Sequence, residues 1–206
     1  NPTDDLTSKL VHNQLPEDML TPAEITSLFV LLAVAGNDTT RTAISHGVNL
    51  LSKNPEQRAI WQADVDGVSQ TAVEEIVRVA APVTFMRRTA TGDVMLGGEQ
   101  FHEGDKFVMF YGAANRDPRV FSDPERFDVR RSPNPHVGFG GPGPHFCLGA
   151  NLARREIAVV FREIFRRLPD LEVTGPAVPL NTAGLPLVGG IKKLPVSFTP
   201  TARSTG

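Results

Sequence analysis

Phe139-Gly140-Gly141-Pro142-Gly143-Pro144-His145-Phe146-Cys147-Leu148-Gly149 is the stretch on which the reading of this chain turns. It holds the only cysteine in 206 residues, behind a segment too rich in Gly and Pro to be strand or helix. A helix is predicted directly after it, over Gly149–Leu168, from the apolar stripe Ile157, Val160, Phe161, Ile164, Phe165 and Leu168, with Pro169 as its stop. The loop therefore delivers one thiol to a helix N-terminus.

Several chemistries compete for such a cysteine. Most lone cysteines are small buried hydrophobes. A catalytic nucleophile wants a His base beside it, and His145, two residues away in the same loop, is expected to point elsewhere. A zinc site needs further Cys or paired His, and the five histidines are scattered without ligand spacing. A helix N-terminus and converging backbone N–H groups stabilise a thiolate, and Gly140, Gly141, Gly143 and Gly149 let backbone approach closely. A thiolate with no second metal ligand in the chain suggests an axial ligand to haem iron.

Towards the N-terminus the pattern is helical. Thr21-Pro22-Ala23-Glu24 is a capping box with Pro at the first helical position, opening a helix predicted to reach about Ser52. From Leu28 to Ala35 that helix is apolar on every side and is expected to run through the middle of a core. Asn54-Pro55-Glu56-Gln57 starts a second helix to about Asp64, and Val73, Ile76, Val77 and Ala80 define a third over Thr71–Ala80, ended by Pro82. Strands are predicted at Asp93–Leu96, near Gln100-Phe101 and at Lys106–Phe110, with Gly97-Gly98 as a turn. Twelve of the seventeen prolines lie from Pro118 onward, so Asp117–His145 reads as irregular but ordered loop, and Leu180–Phe198 as a short hairpin region. The expected organisation is a lead-in over 1–20, a functional body over 21–198 and a tail over 199–206.

Composition narrows the class. With 40% apolar residues and a net charge of −2, neither a disordered chain nor a nucleic-acid binder is indicated. The longest apolar run, Leu28–Gly36, falls well short of the ~20 residues of a membrane span. A single cysteine permits no internal disulfide, and the start Asn1-Pro2-Thr3-Asp4-Asp5 is polar and acidic, unlike a signal peptide. A cytoplasmic location is the expectation. A chain that opens on Asn1 rather than Met is also expected to be a piece of a longer polypeptide.

Gly143-Pro144-His145-Phe146-Cys147-Leu148-Gly149 resembles the haem-binding signature of cytochrome P450. In the family the aromatic usually stands seven residues before the cysteine. Here Gly140 takes that place and Phe139 stands one earlier, a spacing similar to a bacterial branch with one extra loop residue. Other family elements follow in order. Glu75-Ile76-Val77-Arg78 matches the Glu-x-x-Arg of the K helix, which in isolation would be only a weak surface ion pair. Pro124-Glu125-Arg126-Phe127 supplies Arg126 as the implied third member of a Glu–Arg–Arg triad, whose role would be to fix loop geometry, since a buried Glu between two Arg is costly unless fully hydrogen-bonded. Ala35-Gly36-Asn37-Asp38-Thr39-Thr40 matches the I-helix motif. A Gly with Asp and two Thr is unfavourable inside a helix, so a widened turn is expected there.

The resemblance implies a mainly α fold with small β-sheets, the C-terminal portion of a cytochrome P450 from the I helix to the final β region. It implies haem b as cofactor, with Cys147 as iron ligand and Gly36, Arg88, Phe139, His145 and Gly149 around it, Arg88 and His145 as propionate contacts. Asp38 and Thr39 would be the catalytic proton-relay pair. The pocket would take an apolar substrate, among Val34, Ala35, Val83, Thr84, Leu187 and Val188. The implied activity is a haem-thiolate monooxygenase hydroxylating an apolar substrate with dioxygen, a branched lipid, fatty acid or sterol side chain being the best match. Electrons would come from a ferredoxin and its NADH- or NADPH-dependent reductase, docking on Arg155, Arg162 and Arg166, with Arg154 and Arg167 nearby. Two further readings stay open: an incomplete haem-binding fragment without catalysis, and a peroxide-driven peroxygenase, against which the Asp38-Thr39 pair speaks.

Overall fold

A computed structural model of the chain describes residues 3–5, 8, 9, 11, 20–180, 184 and 186–200. Most of the expected lead-in, the tail beyond residue 200 and Leu185 lie outside the described residues. The chain divides into two compact units, 1–38 and 39–206. A single helix, α1 (Pro22–Lys53), crosses the boundary, so each unit holds part of it.

In the first unit the capping box forms as predicted. The Thr21 amide and hydroxyl both donate to Glu24 Oε2 at 2.8 Å, and the Glu24 amide donates to Thr21 Oγ1 at 3.3 Å. The apolar stretch that follows departs from expectation. Phe29, Val30, Leu31 and Val34 are each more than half exposed rather than enclosed in a core.

The second unit is built around a helical core. The α1 residues Thr40, Thr42, Ala43, Gly47 and Leu51 are buried. Ala43, Gly47 and Leu51 belong to one core with residues of α2 (Pro55–Ala63), α3 (Val65–Ala80) and, after the loops, a long helix (Ala150–Arg167). Trp61 of α2 stacks on Phe161 of that last helix with ring centroids 4.9 Å apart and meets Phe165 at 5.2 Å. Gly47 sets how closely α1 can approach: a Cβ there would stand 2.6 Å from Phe161 Cζ and 2.8 Å from Ile76 Cδ1. Helix α3 begins at Val65, six residues before the predicted Thr71, because Asp64 caps it by accepting the Gly67 N–H at 2.9 Å. It ends at Ala81, which adopts a left-handed conformation (φ 39°) just before Pro82.

The strands form four two-stranded antiparallel ribbons. β1 (Phe85–Thr89) pairs with β4 (Lys106–Phe110), and β2 (Val94–Leu96) pairs with β3 (Glu99–Phe101) across Gly97-Gly98, both at positive φ. A short α4 (Tyr111–Ala114) follows β4, and the Ala150–Arg167 helix is α5. β5 (Glu172–Val173) pairs with β8 (Val196–Ser197), and β6 (Val178–Pro179) with β7 (Ile191–Lys193). Strand β1 was not anticipated: its centre, Met86-Arg87-Arg88-Thr89, has too little alternation to announce a strand until β4 lies beside it. The result is mainly helical with small sheets, as expected.

Candidate functional site

The first functional feature is a buried ionic cluster on α3. Glu75 and Arg78 are fully inaccessible. Arg78 Nε and Nη2 donate to Glu75 Oε2 and Oε1 at 2.7 and 2.8 Å, a bidentate pair. The remaining Arg78 N–H groups reach the carbonyls of Asn115, Pro124 and Arg126 at 2.9, 2.7 and 3.0 Å, so all five guanidinium donors are used. Glu75 also accepts the Asp128 amide at 2.9 Å and Asn134 Nδ2 at 3.1 Å.

The third member of this cluster is Arg131, not Arg126. Arg131 Nε lies 3.1 Å from Glu75 Oε2 with its side chain largely buried. The Arg126 side chain is 62% exposed and, among the described residues, pairs with Asp128 alone, at 4.0 Å. The cause is the turn preceding Arg126. Asp123 is left-handed (φ 48°) and its carbonyl accepts the Arg126 amide, which aims the Arg126 carbonyl inward at Arg78 and Arg131.

The cluster holds the cysteine loop from behind. Asn115, itself buried, donates to the Arg78 carbonyl and accepts the Val137 amide at 2.9 Å. At Gly138 a Cβ would come within 2.6 Å of Val77, so the loop lies directly on α3. The Cys147 amide donates to the Phe139 carbonyl at 2.9 Å, and Gly140 (φ 89°) and Gly143 (φ 128°) make the reversals between them.

Phe139 is gripped by a second ionic group that sequence reasoning missed. The Arg154 guanidinium lies 4.4 Å from its ring centroid and His136 stands on it at 5.9 Å. Both bind Glu74: His136 Nε2 at 2.7 Å, and Arg154 through Nη2 at 3.1 Å and through Nε. Burial alone would raise the Glu74 carboxyl, but the hydrogen bonds and charges of His136 and Arg154 outweigh it and lower it to about 2. Only the adjacent Glu74-Glu75 pair hinted at this in the sequence.

The thiol itself is exposed. Phe146, Leu148 and Leu152 beside it are also exposed, Leu148 at 84%, and a Cβ on Gly141, Gly143 or Gly149 would meet nothing within 4 Å. Three residues beyond Cys147, α5 begins. A single soft donor at a helix N-terminus, ringed by open apolar surface, fits a large apolar macrocycle whose metal takes one protein ligand. Among the described residues no three His, Cys, Asp or Glu side chains are grouped to hold a metal by themselves.

The other expected residues fall in three places. Val34, Ala35, Gly36 and Asp38 belong to the first unit, and Thr39 begins the second. α1 runs through Gly36–Thr40 as α-helix. Arg88 lies on β1 opposite Phe107 and donates to the Arg87 carbonyl, while His145 is exposed in the cysteine loop. Val83 and Val188 form an antiparallel bridge, and the Thr84 amide donates to the Leu187 carbonyl at 2.9 Å, bringing those four pocket residues together. On α5, Arg162 pairs with Asp66, and Arg166 and Arg167 with Glu163, each arginine staying more than half exposed, while Arg154 pairs with Glu74.

Comparison with known proteins identifies the family. The sequence profile of the family described as Cytochrome P450 matches residues 1–180. A methyl-branched lipid omega-hydroxylase of Mycobacterium tuberculosis is 53% identical over 199 residues, covering 97% of this chain and 46% of that protein. A steroid C26-monooxygenase of Mycolicibacterium smegmatis is 43% identical over 205 residues, covering 100% of this chain and 47% of that protein. The solved structure of a Mycobacterium marinum cytochrome P450 in complex with pseudoionone superposes with a TM-score of 0.90 at 49% identity, covering 96% of this chain and 47% of that one. The chain spans about half the length of the curated relatives it matches. With a family profile over most of its length and a lone thiol presented by a loop braced on Glu75 and Arg78, the chain belongs to the cytochrome P450 family, whose cofactor is haem b.

Proposed function

We propose that this chain is the haem-binding half, over residues 21–198, of a monooxygenase that hydroxylates an apolar, methyl-branched lipid or sterol side chain. The observation that carries the reading is Cys147: the only thiol in the chain, held by its own amide to the Phe139 carbonyl and set among exposed apolar side chains. Haem bound to a thiolate supplies oxygen activation strong enough to hydroxylate an unactivated C–H bond.

The residues divide the work. Cys147 would ligate the iron, with the α5 N-terminus favouring its negative charge. Arg88 and His145 would pair with carboxylates at the rim of the group, and Gly36, Phe139 and Gly149 would lie against it. Asp38 would pass a proton to Thr39 Oγ1 as that hydroxyl gives its own proton to the oxygen side of the reaction. Val34, Ala35, Val83, Thr84, Leu187 and Val188 would exclude water and hold the substrate by apolar contact. The names of the relatives, a lipid omega-hydroxylase and a steroid C26-monooxygenase, support this substrate class. Electrons would arrive from a ferredoxin and an NADH- or NADPH-dependent reductase.

The test is spectroscopic. Reconstituted with haem, reduced and exposed to carbon monoxide, the protein is expected to give the far red-shifted Soret band of a thiolate-ligated haem. Cys147→His should bind haem without that shift. A wild-type spectrum identical to that of Cys147→His would refute the ligand assignment. A protein that takes up no haem would favour the incomplete-fragment reading.

A further inference from the structure

The turn that carries Leu187 and Val188 is held from two sides, and one of them has no part in the reading above. On the first side it is sewn to the segment after α3. The Gly189 amide donates to the Pro82 carbonyl at 3.0 Å, the Thr84 amide to the Leu187 carbonyl at 2.9 Å, and the Thr84 hydroxyl to the Pro186 carbonyl. On the second side it meets α1. His46 Nε2 lies 2.8 Å from the Gly189 carbonyl oxygen. A carbonyl only accepts, so Nε2 carries the proton. One helical turn earlier, Thr42 Oγ1 sits 3.3 Å from where a Cβ on Gly190 would be, and Thr84 Cγ2 is 3.1 Å from the same position on Gly189. Both glycines are closed in, and the turn has no slack against the helix.

Thr39, Thr42 and His46 stand at i, i+3 and i+7 and share one stripe of α1. All three lie in the second unit with the turn. Thr39 and His46 are separated along the helix by seven residues, ~10 Å at the α-helical rise. A rigid helix thus spans from the hydroxyl assigned to the oxygen side to the carbonyl that anchors the substrate-facing turn.

We propose that His46 is a positioning residue for regioselectivity: by locking the Leu187-Val188 turn at a fixed distance along α1 from Thr39, it determines which carbon of an apolar chain is offered for hydroxylation. This rests on the reading of the chain as part of a lipid-hydroxylating monooxygenase. His46 touches neither substrate nor cofactor in this scheme. It acts through the Gly189 carbonyl. A loosened turn lets the chain terminus slide, and neighbouring carbons then compete with the terminal methyl.

Two measurements test it. Hydrogen exchange on the chain itself reads the clamp: His46→Ala should speed exchange of the Gly189, Gly190 and Leu180 amides about tenfold, the scale of one lost hydrogen bond. The Val129 amide, bonded to Gln57 in the core, should not change. In the haem-loaded enzyme given isopalmitic acid, the ratio of terminal to subterminal alcohol should fall about tenfold in His46→Ala and recover in His46→Gln, which keeps a donor. Gly189→Ala pushes the turn off Thr84 with His46 intact and should give the same fall. Unchanged exchange at Gly189 and Gly190 in His46→Ala overturns the clamp, and altered exchange with an unaltered product ratio overturns the regioselective role. A wild-type enzyme that makes no alcohol tells against the proposed function, and the exchange comparison then decides the clamp alone.

Discussion

Arg126 and Arg131 both follow α3 in a proline-rich loop, carry the same charge and lie five residues apart, yet only one of them bears on the core. A buried carboxylate is tolerated when its lone pairs are filled, and Glu75 is filled by Arg78, Arg131, Asn134 and the Asp128 amide. Removing Arg131 leaves Glu75 paired with Arg78 but takes away a charge-assisted hydrogen bond, so Arg131→Ala should cost the second unit about 1.5–3 kcal/mol. Arg126→Ala removes an exposed side chain but leaves its inward carbonyl in place, and should cost under about 0.5 kcal/mol. Urea unfolding of the two variants checks this, and equal losses would contradict the assignment. The resemblance to the family marked the segment and implied the triad. Which arginine turns inward depended on the left-handed Asp123, a backbone choice that Ser122-Asp123-Pro124 does not announce.

At the scale of elements, the loop that presents Cys147 has no regular hydrogen-bonded structure of its own and takes its shape from α3 and α5. The Glu74–His136–Arg154 group joins these two helices across Phe139, and its contribution depends on pH. The folded Glu74 carboxyl sits at about 2, below its usual 4.5. A lowered carboxyl contributes stability that is fully present above pH 4.5 and is lost as pH falls towards 2. Glu74→Gln should therefore be less stable than wild type at pH 6, and the gap should close between pH 4.5 and 2. Urea midpoints measured as a difference between the two proteins remove the common effect of Asp117 and Glu163, which are also lowered to about 2 by their arginine partners. A gap that stays constant down to pH 2 would contradict the pairing. Helices α1, α2 and α5 were legible in the sequence because capping residues and apolar stripes are local signals. Strand β1 was not, and the hairpin read over Leu180–Phe198 holds only β7 and β8, whose partners β6 and β5 lie before it, because two- to five-residue strands are defined by partners elsewhere in the chain. The Glu74 group escaped notice for the same reason: its members, at 74, 136 and 154, meet only in three dimensions.

At the scale of the whole molecule, the chain carries a complete core in its second unit and an uncovered apolar helix in its first. Val30, Leu31 and Val34 line one side of α1 at i, i+1 and i+4, and Phe29 projects from another, all more than half exposed. Sequence hydropathy identified this stretch as one that belongs inside a core, and the physics behind that expectation stands: contiguous apolar surface in water seeks a partner. The isolated chain is therefore expected to self-associate through this segment. Its sedimentation coefficient should rise with concentration, and Val30→Glu combined with Val34→Glu should restore a concentration-independent monomer. Because both positions lie in the first unit and the Trp61–Phe161 core in the second, the double variant should keep the unfolding free energy of the second unit within about 0.5 kcal/mol of wild type. Association that survives both substitutions would place the adhesive surface elsewhere, with the exposed Phe146, Leu148 and Leu152 around the thiol as the next surface to alter.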